Sequence, residues 1–165
     1  MAIVIVKSES PAEEVLMKVE KILENKDREV FSVHIEAIVS DALYILNEKN
    51  IGALMVLDGS GNIQGIVTER DVMRRCYHSQ TNVKGLAIKD VMTPREKLIV
   101  ARADDDVNDL MGAMTQNRVR HIPVVDEHDH VVGMVSIGDI IKAMLKDREY
   151  QIRHLKDYIE SKYPL

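Results

Sequence analysis

Apolar residues recur in a fixed order of strand and helix periods along the first half of the chain. "VFSV" is typical of a short strand, and the apolar residues of "IVSDALYILNEKN" recur at helical spacing until the breaker Asn50. "IGALMVLD" and "NIQGIVT" are typical of two strands, joined by a turn at "GSG". "ERDVMRRCY" then begins another helix. The pattern predicts strand, helix, strand, strand, helix.

The same order returns 68 residues later, in "LIVA", "VNDLMGAMTQN", "VRHIPVVD", "HVVGMVS" and "GDIIKAML". A gapless alignment of residues 30–76 with residues 98–144 gives seven identities, and the apolar positions agree as well. The chain is therefore a tandem repeat. The identical pairs are Val39/Val107, Asp41/Asp109, Val56/Val124, Asp58/Asp126, Gly65/Gly133, Val67/Val135 and Asp71/Asp139.

Each half has three short strands and two helices, which is too little to bury both faces of its sheet. We therefore predict an α+β fold in which two β-α-β-β-α repeats pack sheet to sheet around a pseudo-twofold axis. The expected parts are an N-terminal arm (1–11), repeat 1 (12–77), repeat 2 (78–146) and a C-terminal helix extension (147–165). Short helices are predicted before each repeat, at "VEKIL" and "AIKDVM", and a helix start is predicted at Ser10 and Pro11.

The C-terminal segment continues without a helix breaker until Pro164. Leu145, Ile152, Leu155 and Ile159 form an apolar stripe near heptad spacing on it, with charged residues elsewhere. A monomer leaves no obvious surface for this stripe. We predict that the helix packs on a partner subunit, most simply in a homodimer.

The composition argues against several classes of function and of site. A net charge of −5 argues against broad binding of nucleic acid or of a membrane surface, which requires a basic excess. Cys76 is the single cysteine, so an internal disulfide and a cysteine-rich zinc site are excluded, and a reducing cytoplasm is the expected location. The apolar run in "MAIVIVK" is too short for a signal peptide or a membrane span.

Each repeat carries the pattern Gly-x-x-(Thr/Ser)-x-x-Asp, in "GIVTERDV" and in "GMVSIGDI". One interpretation is a capping box, in which Thr68 or Ser136 begins the helix and the aspartate closes its first turn. The other is a ligand site, because an aspartate at a helix start can accept hydrogen bonds from both hydroxyls of a ribose. The two interpretations are compatible.

Together, "DVMTP", "IGALMVLDGSGNIQGIVTERDVM" and "VRHIPVVDEHDHVVGMVSIGDII" resemble tandem CBS domains, regulatory repeats named after cystathionine β-synthase. The resemblance covers residues 12–146. It implies that an adenosine-containing ligand binds in the clefts between the repeats for regulation: AMP, ADP, ATP, NAD(H) or S-adenosylmethionine. It also implies a dimer, and a downstream protein that the sequence does not identify.

The resemblance implies two unequal clefts. The Asp139 cleft, ranked first, takes Ser136, Asp139, Arg120, His121 and Met134, with the backbone of Ile51, Gly52 and Ala53 holding the adenine. The Asp71 cleft takes Ile66, Thr68, Arg70 and Asp71, with Val119, Arg120 and His121 across from them. Ala53 stands there at the position equivalent to His121, so one phosphate-facing cation is missing from that strand; Arg70 is the candidate to replace it.

Three alternatives to a nucleotide-binding module are an interaction module, a metal site and an enzyme. The chain could be a protein-interaction or dimerisation module whose clefts are empty. His128 and His130 in "DEHDHVV" could hold a metal, although the stretch aligns with the hairpin turn "DGSGN", and we expect a solvated turn and no metal site. An enzyme is not expected, because no nucleophile with an adjacent base is evident in the sequence.

Overall fold

The computed structural model describes residues 3–4, 17–26, 29–79 and 85–162. The helices and strands follow the predicted order, and α4 has the bounds that the sequence pattern gave. The expected helix start at Ser10 and Pro11 lies outside the described residues. The elements are β1 (Ile3–Val4), α1 (Val19–Glu24), β2 (Ser32–His34), α2 (Val39–Lys49), β3 (Ala53–Leu57), β4 (Ile63–Thr68), α3 (Glu69–Ser79), β5 (Thr93–Pro94), β6 (Ile99–Val100), α4 (Val107–Asn117), β7 (His121–Val125), β8 (Val131–Ser136) and α5 (Ile137–Lys162).

The two repeats form sheets of the same plan. In the first, β2 runs parallel to β3, and β3, β4 and β5 are antiparallel neighbours. In the second, β7 and β8 form the antiparallel hairpin, and a parallel bridge from Ala101 to Val124 joins the β6 segment to β7. β1 extends that edge by pairing parallel to β6. The predicted repeat of strand and helix order is confirmed.

The segment before each repeat packs on the other repeat. α1 buries Val19, Ile22 and Leu23 in the core of the second repeat, and the Val19 N–H donates to the Asp105 carbonyl at 3.0 Å. The predicted helix at "AIKDVM" is a 3₁₀ helix, Ile88–Asp90, and Ile88 is fully buried in the core of the first repeat. This exchange ties the repeats together.

A third apolar core lies between the two sheets. Its buried members come from both repeats and are Ala53, Met55, Ile63, Ile66, Leu98, Val100 and Val125. Burying one such large aliphatic side chain contributes about 1.5–3 kcal/mol, so the contact is a substantial part of the stability of the pair. The predicted sheet-to-sheet packing is confirmed.

α5 continues unbroken for 26 residues, well beyond the second repeat. The four residues of its predicted stripe (Leu145, Ile152, Leu155 and Ile159) are each more than half exposed. Within the described part of the chain, no helix combines the length and the apolar character needed to cross a bilayer.

Candidate functional site

A cavity of about 400 Å³ opens between the two repeats beside Asp71. Its walls are the end of β4, the first turns of α3, the chain around the 3₁₀ helix Arg95–Lys97, and the segment from α4 to β7. The volume is within the range of small-molecule sites. All residues that the sequence analysis gave to this cleft line it: Ile66, Thr68, Arg70, Asp71, Val119, Arg120 and His121.

Asp71 and Thr68 form a reciprocal cap at the start of α3. The Asp71 Oδ2 accepts from the Thr68 Oγ1 at 2.6 Å and from the Thr68 N–H at 3.0 Å, while the Asp71 N–H donates to the Thr68 Oγ1 at 3.3 Å. The capping interpretation is therefore confirmed for Thr68 and Asp71, and it remains compatible with a ligand site. All the capping bonds to the carboxylate use Oδ2, so Oδ1 stays available to a ligand at the cavity wall.

Five cationic side chains surround the same cavity: Arg70, Arg74, Lys97, Arg118 and Arg120. They come from α3, from the 3₁₀ helix before β6 and from the turn after α4. The Arg70 guanidinium donates to the Arg118 carbonyl at 3.0 Å, which draws the two repeats together across the opening. Arg70, the candidate to replace the cation missing at Ala53, lines this cavity.

Sequence reasoning missed three of these cations. Arg74 had a signal, because a residue four positions after Arg70 lies on the same face of a helix. Arg118 follows the last residue of α4 in a left-handed backbone conformation, with φ of 55°. Lys97 follows Pro94 in a 3₁₀ helix, and no periodicity there indicates a direction.

The Asp139 cleft has the same cap. The Asp139 Oδ2 accepts from the Ser136 Oγ at 2.7 Å and from the Ser136 N–H at 2.8 Å. It also forms an ion pair with the Lys26 ammonium at 2.7 Å, and that ammonium donates to the Met134 carbonyl at 3.1 Å. Lys26 therefore shares Oδ2 with the cap, and Lys26 and Asp139 also line a cavity of about 470 Å³ between α1 and α5. Sequence reasoning did not find Lys26.

Electrostatics at Asp139 favour this internal pair. Burial raises the pKa of Asp139, but the hydrogen bonds from Lys26 and Ser136 and the Lys26 charge outweigh it, so the pKa lies below its ordinary value. The carboxylate is consequently charged and paired in the absence of any ligand.

His121 lies close to the backbone segment that was expected to hold the adenine in the Asp139 cleft. A Cβ added to Gly52 would lie 2.8 Å from the His121 Cε1, so the ring stands directly over Gly52, between Ile51 and Ala53 in the chain. Burial, followed by the charges of Arg120 and Lys26, lowers the pKa of His121, and Asp139 opposes this. The register confirms that His121 and Ala53 are equivalent, because they pair with Ser136 and Thr68.

The hairpin with His128 and His130 is a turn organised by Asp126. The Asp126 Oδ1 accepts from the His128 N–H at 2.8 Å and from the His130 N–H at 2.9 Å, as Asp58 does for Ser60 and Asn62 in the first repeat. Among residues 3–4, 17–26, 29–79 and 85–162, no group of three or more metal-ligating side chains comes together.

Comparison with known proteins identifies the family to which this fold belongs. The sequence matches the CBS domain over residues 19–78 and again over residues 88–146. It is 35% identical over 127 residues to the mitochondrial CBS domain-containing protein CBSX3 of Arabidopsis thaliana; the match covers 76% of this chain but only 61% of that protein.

Two solved structures are similar in fold. A signal-transduction protein with CBS domains from Burkholderia ambifaria is 35% identical with a TM-score of 0.74, over 79% of this chain and 96% of that one. CBSX2, solved in complex with AMP, is 25% identical with a TM-score of 0.64, over 79% of this chain and 98% of that one. The chain belongs to the CBS domain family, as a tandem pair of CBS domains.

Proposed function

We propose that the chain is a regulatory module that binds an adenosine-containing ligand in the Asp71 cleft. The observation that carries the proposal is the cavity itself: it places a carboxylate with a free oxygen opposite a cluster of arginines, between two repeats. The AMP complex of CBSX2 supports an adenosine ligand for this fold.

The lining offers a partner for each part of such a ligand. The Asp71 Oδ1 can accept from the ribose hydroxyls, as acidic residues do in dinucleotide-binding folds. Ile66, Leu98 and Val119 give apolar surface for an adenine ring. The guanidinium groups of Arg70, Arg118 and Arg120 suit phosphate, which arginine can bind through two parallel hydrogen bonds.

Binding at this place stabilises the arrangement of the two repeats. Asp71 belongs to the first repeat and Arg120 to the second, so a ligand that contacts both favours one relative orientation. Ligand at 100 times its dissociation constant adds about 2.7 kcal/mol to the free energy of unfolding. Such a change is the physical basis for regulation of a downstream partner.

A thermal-shift panel tests the proposal. The full chain is heated with AMP, ADP, ATP, NAD(H) or S-adenosylmethionine, and at least one of them should raise the melting temperature. Asp71→Ala should remove that shift. If no adenosine-containing compound changes the melting temperature, the alternative of an interaction module with empty clefts replaces this proposal.

We also propose that α5 mediates pairing with a second copy of the chain. The support is the exposed stripe of Ile152, Leu155 and Ile159, which has no cover within the described residues. Sedimentation of the wild type should show a dimer, and Leu155→Glu should shift it toward monomer. A wild-type monomer at micromolar concentration would refute the pairing. The cytoplasmic location, the downstream partner and the absence of catalysis stay predictions from the sequence.

A further inference from the structure

The cations of the Asp71 cleft are more numerous than a single phosphate group needs. Arg70 and Arg74 lie one turn apart on α3, Lys97 lies on the 3₁₀ helix before β6, and Arg118 and Arg120 lie across the opening. Asp71 is the one carboxylate among the lining residues of this cavity that the structure describes. The cluster therefore has a large positive excess in a chain whose net charge is −5.

No ion pair among the described residues neutralises this charge. The ion pairs of the described residues involve Lys21, Lys26, Lys89, Arg95 and His130, and none of the five cleft cations takes part. Like charges around one partly enclosed volume repel each other. An anion that enters the cavity relieves that repulsion, so the cleft selects its ligand by charge.

Arg118 reaches the cavity wall because it ends α4 in a left-handed backbone conformation. Arg118 has φ of 55°, and Asn50, its equivalent in the first repeat, has φ of 50°. Asparagine adopts this left-handed conformation readily, whereas other residues with a Cβ do so at a cost of about 1–2 kcal/mol. Both residues end a helix, α4 and α2, so the conformation is that of a helix C-cap, and it leaves Arg118 on the wall of the cavity.

We propose that the Asp71 cleft prefers adenosine ligands with two or three phosphates over AMP, and disfavours S-adenosylmethionine. The inference rests on the proposed function and specifies its ligand class. A single phosphate can engage two of the arginines through bidentate hydrogen bonds, and only a longer phosphate chain brings negative charge to the remaining cations. S-adenosylmethionine instead places a positively charged sulfonium among like charges.

Isothermal titration calorimetry on the full chain tests the preference. Adenosine, AMP, ADP, ATP, S-adenosylmethionine and inorganic tripolyphosphate are titrated separately in the same buffer. ADP and ATP should bind at least tenfold more tightly than AMP, and AMP more tightly than adenosine. Raising the salt concentration should narrow the gap, since exposed charges are screened.

Several outcomes overturn the inference. AMP binding as tightly as ATP would do so, and so would S-adenosylmethionine binding more tightly than ADP. Tripolyphosphate alone equalling ATP would show a phosphate site that does not recognise the nucleoside. In the first two cases the proposed function stands, because an adenosine ligand still binds; binding of none of the adenosine compounds is the separate failure of the proposed function.

Arg74 and its neighbour Arg75 give a matched pair of variants. Arg74 lines the cavity one turn along α3 from Asp71, whereas Arg75 is exposed and is not a lining residue. Arg74→Gln should weaken ATP binding about tenfold and AMP binding less than twofold, and Arg75→Gln should change neither. Equal losses for AMP and ATP with Arg74→Gln, or equal effects of the two variants, would contradict the assignment.

Discussion

The two clefts have the same helix cap, but different side chains surround the aspartate of each cap. In both, a hydroxyl residue and an aspartate bond reciprocally at a helix start, with nearly identical distances. At Asp139 the Lys26 ammonium pairs with Oδ2, and the His121 ring lies close to Gly52. Among the described residues no cation pairs with Asp71, which lines the cavity of about 400 Å³ with the five cations, whereas Asp139 lines a different cavity of about 470 Å³ with Lys26. The motif alone therefore does not indicate whether its aspartate is paired with a cation of the protein.

The difference in cation pairing follows from the residues at one pair of equivalent positions, Lys26 and Pro94. A shift of 68 residues takes Lys26 to Pro94. Pro94 lies in β5, paired with Gly65 of the first repeat, while Lys26 reaches Met134 and Asp139 of the second. Proline has no side-chain donor, so this position supplies no cation to Asp71.

The largest expected effect comes from removing each aspartate in turn. Asp71→Ala should weaken nucleotide binding about 100-fold, because two hydrogen bonds to a charged group contribute about 3 kcal/mol or more together. Asp139→Ala, its matched control, loses the same kind of cap and should bind nearly as the wild type does. Calorimetry measures both. The reverse result, with Asp139→Ala losing binding, would exchange the roles of the clefts.

The glycines that begin the two motifs should differ in stability when replaced by alanine. A Cβ at Gly65 would collide with the backbone carbonyl of Thr93, whereas a Cβ at Gly133 would meet the flexible end of Leu23, 2.6 Å from its Cδ2. We expect Gly65→Ala to lower the free energy of unfolding by about 1–3 kcal/mol. Gly133→Ala should cost less, because a side-chain end moves more easily than a backbone. Urea unfolding compares them, and equal losses would argue against this difference in packing.

His121 should make stability depend on pH. Its folded pKa lies below its ordinary value because of burial, with Arg120 and Lys26 adding to the effect. Below about pH 6.5 the unfolded chain therefore binds a proton that the folded chain does not, and stability falls as the pH decreases toward the folded pKa.

His121→Gln should reduce the loss of stability between pH 7.5 and pH 5.5, measured by urea unfolding at both values. His154→Gln, at an exposed position on α5, serves as the control. An unchanged pH dependence in His121→Gln would show that this histidine does not carry the effect.

The smallest effect is expected from Lys26. Lys26→Ala should raise the pKa of Asp139 toward its ordinary value of 3.8, because a hydrogen bond and a nearby positive charge are lost. A depressed carboxylate pKa stabilises the fold above the unfolded pKa, and this stabilisation is lost as the pH falls through the folded pKa.

The loss of stability at neutral pH should stay below about 1 kcal/mol, since both side chains are partly exposed. Carboxyl NMR titration measures the pKa directly. Lys21→Ala breaks the Lys21–Asp147 pair instead and is the control. An Asp139 pKa that does not rise in Lys26→Ala would show that the ion pair does not lower this pKa.

Local pattern predicted the elements, and contacts between distant residues decided the site. The 3.6-residue and two-residue periods gave the order of strands and helices, and the offset of 68 residues gave the pseudo-symmetry. The exchange of α1 and the 3₁₀ helix Ile88–Asp90 between the repeats left no local signal, because apolar spacing shows that a helix has a buried face and not which core covers it. The Lys26–Asp139 pair spans 113 positions, and nothing near Lys26 in the sequence indicates that reach.

The number of ligand molecules bound per chain tests whether the Asp71 cleft, and not the Asp139 cleft, is the ligand site. Calorimetric titration of the wild type with ATP should saturate at one equivalent per chain, because five cations surround the Asp71 cavity, whereas the Asp139 carboxylate is already paired with Lys26. Asp139→Ala should keep that single equivalent, and Asp71→Ala should lose it. Saturation at two equivalents per chain, or at one that disappears with Asp139→Ala, would contradict the account.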